Sequence, residues 1–262
     1  MTAHPAYGEL RAVTPVASVL LEANPGSMTL EGTNTWLLRA PDSTSVVVVD
    51  PGYEDEPHLA RVLDVAPVEL IVLTHHHDDH AQGAPWLADR TDAPVRALDP
   101  ALCRGAAPLA GDEDFTAAGL GFRVLHTPGH TADSVCLRVT HDGHDGSAAL
   151  LTGDSVLGRG TTVISDLGPY LSTLRRLLAE PPGTPALPGH GAELPDVATT
   201  AAEYLAHREQ RLDQVRRALA TLGEHATPRQ IVELVYADVD KALWGPAEWS
   251  VRAQLDYLRG PA

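Results

Sequence analysis

Six consecutive residues, His75-His76-His77-Asp78-Asp79-His80, hold the densest metal-ligating chemistry in this chain of 262 residues. They follow the apolar run Leu70-Ile71-Val72-Leu73, which reads as a short buried strand ending at Thr74. Residues two apart on extended backbone point the same way, so the imidazoles of His75 and His77 leave the strand end on one side. Asp79 and His80 then follow in the loop. Two imidazoles, a carboxylate and a third imidazole are the donors that a pair of Zn2+-like ions takes. Three later turns carry more donors: Thr127-Pro128-Gly129-His130, Thr152-Gly153-Asp154 and Pro188-Gly189-His190-Gly191. Alone, each is a weak signal that reads as an ordinary turn. In this order, behind the first motif, they point to one site.

The elements that must position these residues alternate. Strand-like runs lie at 18–21, 35–39, 46–50, 70–73, 122–125, 134–139 and 148–152, with a further short run at 185–187, and helix-like runs at 57–65, 85–90 and 169–180. Leucines at 171, 174, 177 and 178 give the last of these a one-sided stripe. Such alternation predicts a layered α/β architecture. Each candidate ligand falls just after a strand, and the neighbouring Gly or Pro permits a turn that aims its side chain across the sheet edge. From residue 196 to about 222 the pattern becomes one long helix, followed by shorter ones over 228–235 and 246–258. The expected organisation is a catalytic domain over 1–222 and a small helical appendage over 223–262.

A formal charge of −16, from 19 basic and 35 acidic residues, argues against broad nonspecific binding of nucleic acid. Two bound dications would still make a pocket locally positive. Lys241 is the only lysine, so nearly all positive charge is arginine, suited to bidentate contact with phosphate or carboxylate. No apolar run is long enough to span a bilayer. Residues 1–5 lack the basic start and apolar stretch of a secretory signal, so the expected location is cytoplasmic. Cys103 and Cys136 make no disulfide framework, and Cys136 reads as a buried core thiol rather than a ligand.

The order His75-x-His77-x-Asp79-His80, then His130, Asp154 and His190, resembles the metallo-β-lactamase superfamily over about residues 15–195. That resemblance implies a four-layer αββα sandwich with the metals at one edge of the two sheets. It implies that His75, His77 and His130 bind a first metal, that Asp79, His80 and His190 bind a second, and that Asp154 bridges them. Asn24-Pro25-Gly26, Gly32-Thr33-Asn34-Thr35, the run Gly153 to Gly158 with Gly160-Thr161-Thr162, and His207-Arg208 resemble the narrower β-lactamase-like protein 2 branch. That branch includes a mitochondrial endoribonuclease and thioesterases that release polyketides, and its members end in a winged-helix-like region. Here the tail shows helices without a clear hairpin wing.

Two metals sharing a water lower its pKa and hold the hydroxide as nucleophile, with Asp79 aiming it. The expected cofactors are two Zn2+, with Mn2+ or Fe as other occupants that suit these ligands. Histidines must be neutral to bind, so metal affinity is expected to fall below about pH 6. By the same resemblance, true β-lactamases are secreted and lack an aspartate at the Asp154 position, which argues against antibiotic hydrolysis. The leading expectation is hydrolysis of a small or carrier-borne ester or thioester. The rivals are an endoribonuclease acting on single-stranded RNA and a non-catalytic, metal-stabilised protein that binds a partner through its tail. A structural zinc site usually closes its coordination with four protein ligands, which speaks against the last. Among tempting residues, His76 and Asp78 read as surface or supporting positions, and His126 as a strand end. His141-Asp142-Gly143-His144-Asp145-Gly146 reads as a hairpin loop. His207 and Arg208 read as structural residues of an exposed helix face, with a role near the substrate as the alternative.

Overall fold

The computed structural model describes residues 7–141 and 149–260. The chain begins with β1 (Arg11–Thr14), β2 (Ala17–Leu21), β3 (Asn34–Leu38), β4 (Val46–Val49), α1 (Glu56–Leu63) and β5 (Val68–Val72). It continues through α2 (Asp78–Ala81), α3 (Ala84–Thr91) and β6 (Val95–Arg96), completing a sheet of order β1-β2-β3-β4-β5-β6. A second sheet uses β7 (Asp114–Ala117), β8 (Leu120–His126), β9 (Val135–Thr140), β10 (Ala149–Gly153) and β11 (Ala186–Pro188), in the order β11-β10-β9-β8-β7. Helices α4 (Leu167–Leu177) and α5 (Val197–Leu222) precede and follow β11, and α6 (Pro228–Val235) and α7 (Trp244–Arg259) close the chain.

Period-two alternation explains the layering, because each strand divides its apolar residues between its two faces. On β4, Val47 and Val49 enter the core between the sheets, while Val46 and Val48 pack under α1 and α3. On β3, Trp36 and Leu38 take the inner face and Leu37 the outer. In the second sheet Phe122, Val124, Leu137 and Leu151 face inward, and Leu125, Cys136 and Leu150 meet Tyr170, Leu171 and Leu174 of α4. Three apolar interfaces between four layers make an αββα sandwich. A fourth cluster joins Val215 and Ala218 of α5 to Ile231, Val232, Trp244 and Val251 of the tail. No described helix is long and apolar enough to cross a membrane.

The site edge follows from strand direction. β5 is parallel to β4 and β6, and β10 is parallel to β11, so the loops leaving β5, β10 and β11 emerge at sheet ends of one polarity. Hydrogen bonds to backbone carbonyls tie the two sheets at that edge. Val135 N donates to Thr74 O at 2.9 Å, Asn34 N to Gly189 O at 2.8 Å, and the Trp36 indole to Pro188 O at 2.9 Å.

The expected strands and helices are present, and three strands were not expected: β1, β6 and β7. All three lie at sheet edges and are short or largely uncovered, so no apolar run marks them. The expectation that Asp79 and His80 lie in a loop is corrected, because both lie on α2. His77 O accepts from the backbone N–H groups of His80 and Ala81, and this closes one helical turn. The exposed helix face expected for Arg208 is also corrected. Arg208 is buried, its guanidinium donating to Thr162 O and lying over the Tyr170 ring. Cys136 is a buried core thiol. His126 is the last residue of β8, and exposed His76 pairs with Asp133 at 2.7 Å. Most of the segment read as a hairpin loop, 142–146, lies outside the described residues.

Candidate metal centre

The strand ends and α2 bring all seven candidate ligands together. His75, His77 and His130 place one ring nitrogen each in a common cluster, as do one donor atom each from Asp79, His80 and His190. His77 Nδ1 lies 3.1 Å from both His75 Nε2 and His130 Nε2. His80 Nε2 lies 3.2 Å from His190 Nε2, which is 3.2 Å from Asp79 Oδ2. Asp154 stands between the groups. Its Oδ1 is 3.5 Å from His80 Nε2, and its Oδ2 is 3.6 Å from His130 Nε2 and 3.5 Å from His190 Nε2. Gly189 is required at this approach, since a Cβ there would fall 2.6 Å from the His80 ring and 2.7 Å from Asp154 Oδ1.

Proton bookkeeping on the outer ring nitrogens shows what the cluster is built for. Thr74 Oγ1 donates to Asp50 Oδ2 at 2.6 Å, so at its 3.0 Å contact with His75 the ring Nδ1–H must be the donor. The Nδ1 atoms of His80 and His190 face acceptors only, Asp50 Oδ2 at 2.9 Å and Gly32 O at 3.1 Å, and His130 Nδ1 faces Val163 O at 2.7 Å beside a Thr162 hydroxyl that itself donates to Val163 O. Four histidines are therefore fixed as Nδ1–H tautomers in their neutral forms, with Nε2 lone pairs aimed inward. A proton on His77 Nδ1 can satisfy only one of its two neighbours. Asp154 Oδ1 is buried without a hydrogen-bond partner. Convergent lone pairs and an orphaned carboxylate oxygen are the donor set of divalent cations, and the residues fit them.

The two halves differ electrostatically. Burial and the neighbouring imidazoles hold His75 far below the ordinary histidine range, and burial with His130 pushes His77 down to about 4. Burial opposes charge on His80 too, but Asp154, Asp50 and Asp79 outweigh it and raise its pKa to about 10. His190 is raised in the same way, by Asp154 and Asp79 against burial. Asp79 is correspondingly lowered, its hydrogen bond with His190 overcoming the effect of burial.

The chemistry opens onto a cleft of about 330 Å3. His77 and His130 lie on its wall with Met28, Val163, Ile164 and, from α7, Trp249 and Arg252.

Sequence reasoning named the ligand-type residues but passed over their supports. Asp50 is the chief one: buried, it accepts from Thr74 N at 2.8 Å as well as from the Thr74 hydroxyl and His80. Its signal was a carboxylate closing the run Val46–Val49. Arg208 holds Thr162 O while Thr162 Oγ1 and Val163 O lie 3.1 and 2.7 Å from His130 Nδ1. In this way α5 braces the loop that orients His130.

Comparison with known proteins places this geometry in a family. The metallo-β-lactamase superfamily matches residues 28–192, and the β-lactamase-associated winged-helix domain matches residues 227–259. A β-lactamase-like protein 2 homologue from Drosophila melanogaster is 33% identical, covering 91% of this chain and 86% of its own. An atrochrysone carboxyl ACP thioesterase, AgnL7, from Paecilomyces divaricatus is 29% identical over 88% of this chain and 75% of its own. The crystal structure of a β-lactamase domain protein from Burkholderia ambifaria superposes with a TM-score of 0.81 at 25% identity, covering 98% of this chain and 90% of that one. The chain belongs to the metallo-β-lactamase superfamily, in its β-lactamase-like protein 2 branch. It is a metal-dependent hydrolase of that superfamily.

Proposed function

We propose that this chain is a dinuclear zinc hydrolase of a carrier-borne or small acyl thioester, with its catalytic domain over 1–222 and its appendage over 223–262. On this reading His75, His77 and His130 hold one cation, Asp79, His80 and His190 hold the other, and Asp154 is shared. When bound, such a pair supplies Lewis acidity towards the carbonyl oxygen and activates water as a nucleophile. Asp79 is the catalytic residue of this chain: its carboxylate accepts a hydrogen bond from the attacking water and orients it towards the thioester carbon. The water oxygen bonds to that carbon, the C–S bond breaks, and the products are the carboxylic acid and the free thiol. Asp50 keeps His80 and the Thr74–His75 pair in place. Val163 O and Gly32 O keep the His130 and His190 rings turned inward.

The observation that carries the substrate class is the character of the cleft beside His77 and His130. Its wall is largely apolar, with Met28, Val163, Ile164, Trp249 and Ala253, and Arg252 is its one arginine or lysine, beside Ser165 and Asp256. A polyanion needs several basic contacts to offset its charge, whereas an acyl chain needs apolar surface. The relative named as a thioesterase supports the same choice. Incubating the zinc-loaded protein with an acyl thioester and, separately, with a single-stranded RNA oligonucleotide tests this, with Asp79→Ala as control. Asp79-dependent thioester hydrolysis with intact RNA is expected. RNA cleavage lost in Asp79→Ala, without thioester turnover, would make the protein a nuclease.

A further inference from the structure

The winged-helix-like tail does more in this fold than bury apolar surface. Helix α7 forms one wall of the cleft whose other residues include His77 and His130. An acyl group whose carbonyl reaches those histidines through this cleft has α7 along one side. We propose that this cleft is the acyl subsite and that Trp249, with Arg252 three residues further along the helix, selects planar aromatic acyl groups bearing an ionised oxygen. The inference rests on the thioester reading above and names the acyl class within it.

Trp249 is the first argument. The other three tryptophans are engaged elsewhere. Trp36 and Trp244 are buried and hydrogen-bonded, and Trp86 bonds Glu56 while Arg90 stacks over its ring at 3.6 Å. Trp249 is 57% exposed and makes no hydrogen bond or ring contact with a described residue. An indole at the mouth of a reactive cleft offers a flat apolar face and an edge N–H to whatever enters. Met28, 42% exposed on the same cleft, adds a polarizable thioether suited to aromatic ring edges.

Arg252 is the second. Other arginines of the tail are occupied: Arg229 pairs with Glu233 and Glu248, and Arg259 donates to Glu224 O. Arg252 makes no ion pair or hydrogen bond with a described residue; Asp256, one turn further along the same helix, also lines the cleft but is not within ion-pair distance of it. In a chain of net charge −16, a free guanidinium beside the cleft is a local exception suited to a carboxylate or phenolate. The cleft volume of about 330 Å3 lies at the small end of ligand sites, the scale of a one- or two-ring acyl group.

The test compares kcat/KM for the acetyl, 2-naphthoyl and 6-carboxy-2-naphthoyl thioesters of N-acetylcysteamine with zinc-loaded protein. The wild type is expected to prefer naphthoyl over acetyl by about tenfold or more, and Trp249→Ala to erase that preference. Trp249→Phe should retain most of it, because the ring face is kept. Arg252→Met should remove about tenfold of any preference for the carboxylated ring over the plain one. Leu234→Ala, at an exposed apolar position of α6 away from the cleft, reports what a general change in the tail does to these ratios. Ratios unchanged in Trp249→Ala would overturn the subsite. If no thioester is hydrolysed, the thioester reading fails, and calorimetric binding of 2-naphthoate decides the subsite independently. About tenfold weaker binding in Trp249→Ala would support it, and equal binding would overturn it.

Discussion

The metal edge of the sandwich and the α7 wall of the cleft lie side by side and are built on opposite terms. At the edge, His75, His80, His130, Asp154 and His190 are all buried, and each histidine is fixed from behind by a hydroxyl, a carboxylate or a backbone carbonyl. On the α7 wall, Trp249 and Arg252 are exposed, with no hydrogen-bond partners among the described residues. The contrast separates two tasks. Ligand geometry must be set before substrate arrives, because small displacements of reacting groups are costly. A surface that chooses among acyl groups must instead be unsatisfied until one of them fills it.

The sharpest way to break the comparison is at Asp79. Asp79→Ala is expected to lower kcat/KM about a thousandfold on every thioester, bulky or small, measured in zinc-saturated protein. A loss confined to bulky substrates would put selection, not chemistry, at the edge.

Acid tests the scaffold beneath the edge. His58 on α1 is buried, and its Nε2 lies 2.8 Å from Thr35 Oγ1, which donates to Asp50 O. Burial lowers its pKa from 6.5 to about 4. Between those values the unfolded chain takes up a proton that the folded chain refuses, so stability is lost as pH falls from 6.5 towards 4. The loss from this one group is about 3 kcal/mol. Urea unfolding of metal-free protein across that window should show a shallower dependence in His58→Gln than in the wild type.

The supports come next. Asp50→Asn keeps the shape and tolerates the left-handed backbone at φ +53 but loses the charge that faces His80 and Thr74. Chelator competition should report about 10- to 100-fold weaker metal binding. Arg208→Met removes the donor to Thr162 O and is expected to cost about 2 kcal/mol of unfolding free energy. The wall effects at Trp249 are the smallest and are confined to substrate ratios.

What was legible in the sequence follows the same division. His75, His77, Asp79 and His80 could be read because their spacing is local, and His130, Asp154 and His190 because each sits in a Gly-rich turn after a strand. The groups that orient them could not. Val163 O and Gly32 O are backbone carbonyls, which carry no side-chain signature, and Asp50 meets His80 only through the fold. The central strands showed as apolar runs, whereas β1, β6 and β7 at the sheet edges have too little buried surface to leave one. Arg208 read as surface because a charged residue on a long helix usually is; the Tyr170 ring and the Thr162 carbonyl make its burial tolerable. The role of α7 was hidden for a simpler reason. Residues 249 and 252 come near 77 and 130 only when the tail folds back over the cleft.

The most direct test of the account is a count of metal ions per chain by plasma mass spectrometry after zinc loading and desalting, for the wild type and His190→Ala. About two zinc ions in the wild type and about one in the variant is the predicted result, because His190 belongs to only one of the candidate ligand groups, that with Asp79 and His80. A single ion in the wild type, or one iron per chain in protein as purified, would contradict the two-metal centre on which the proposed chemistry stands.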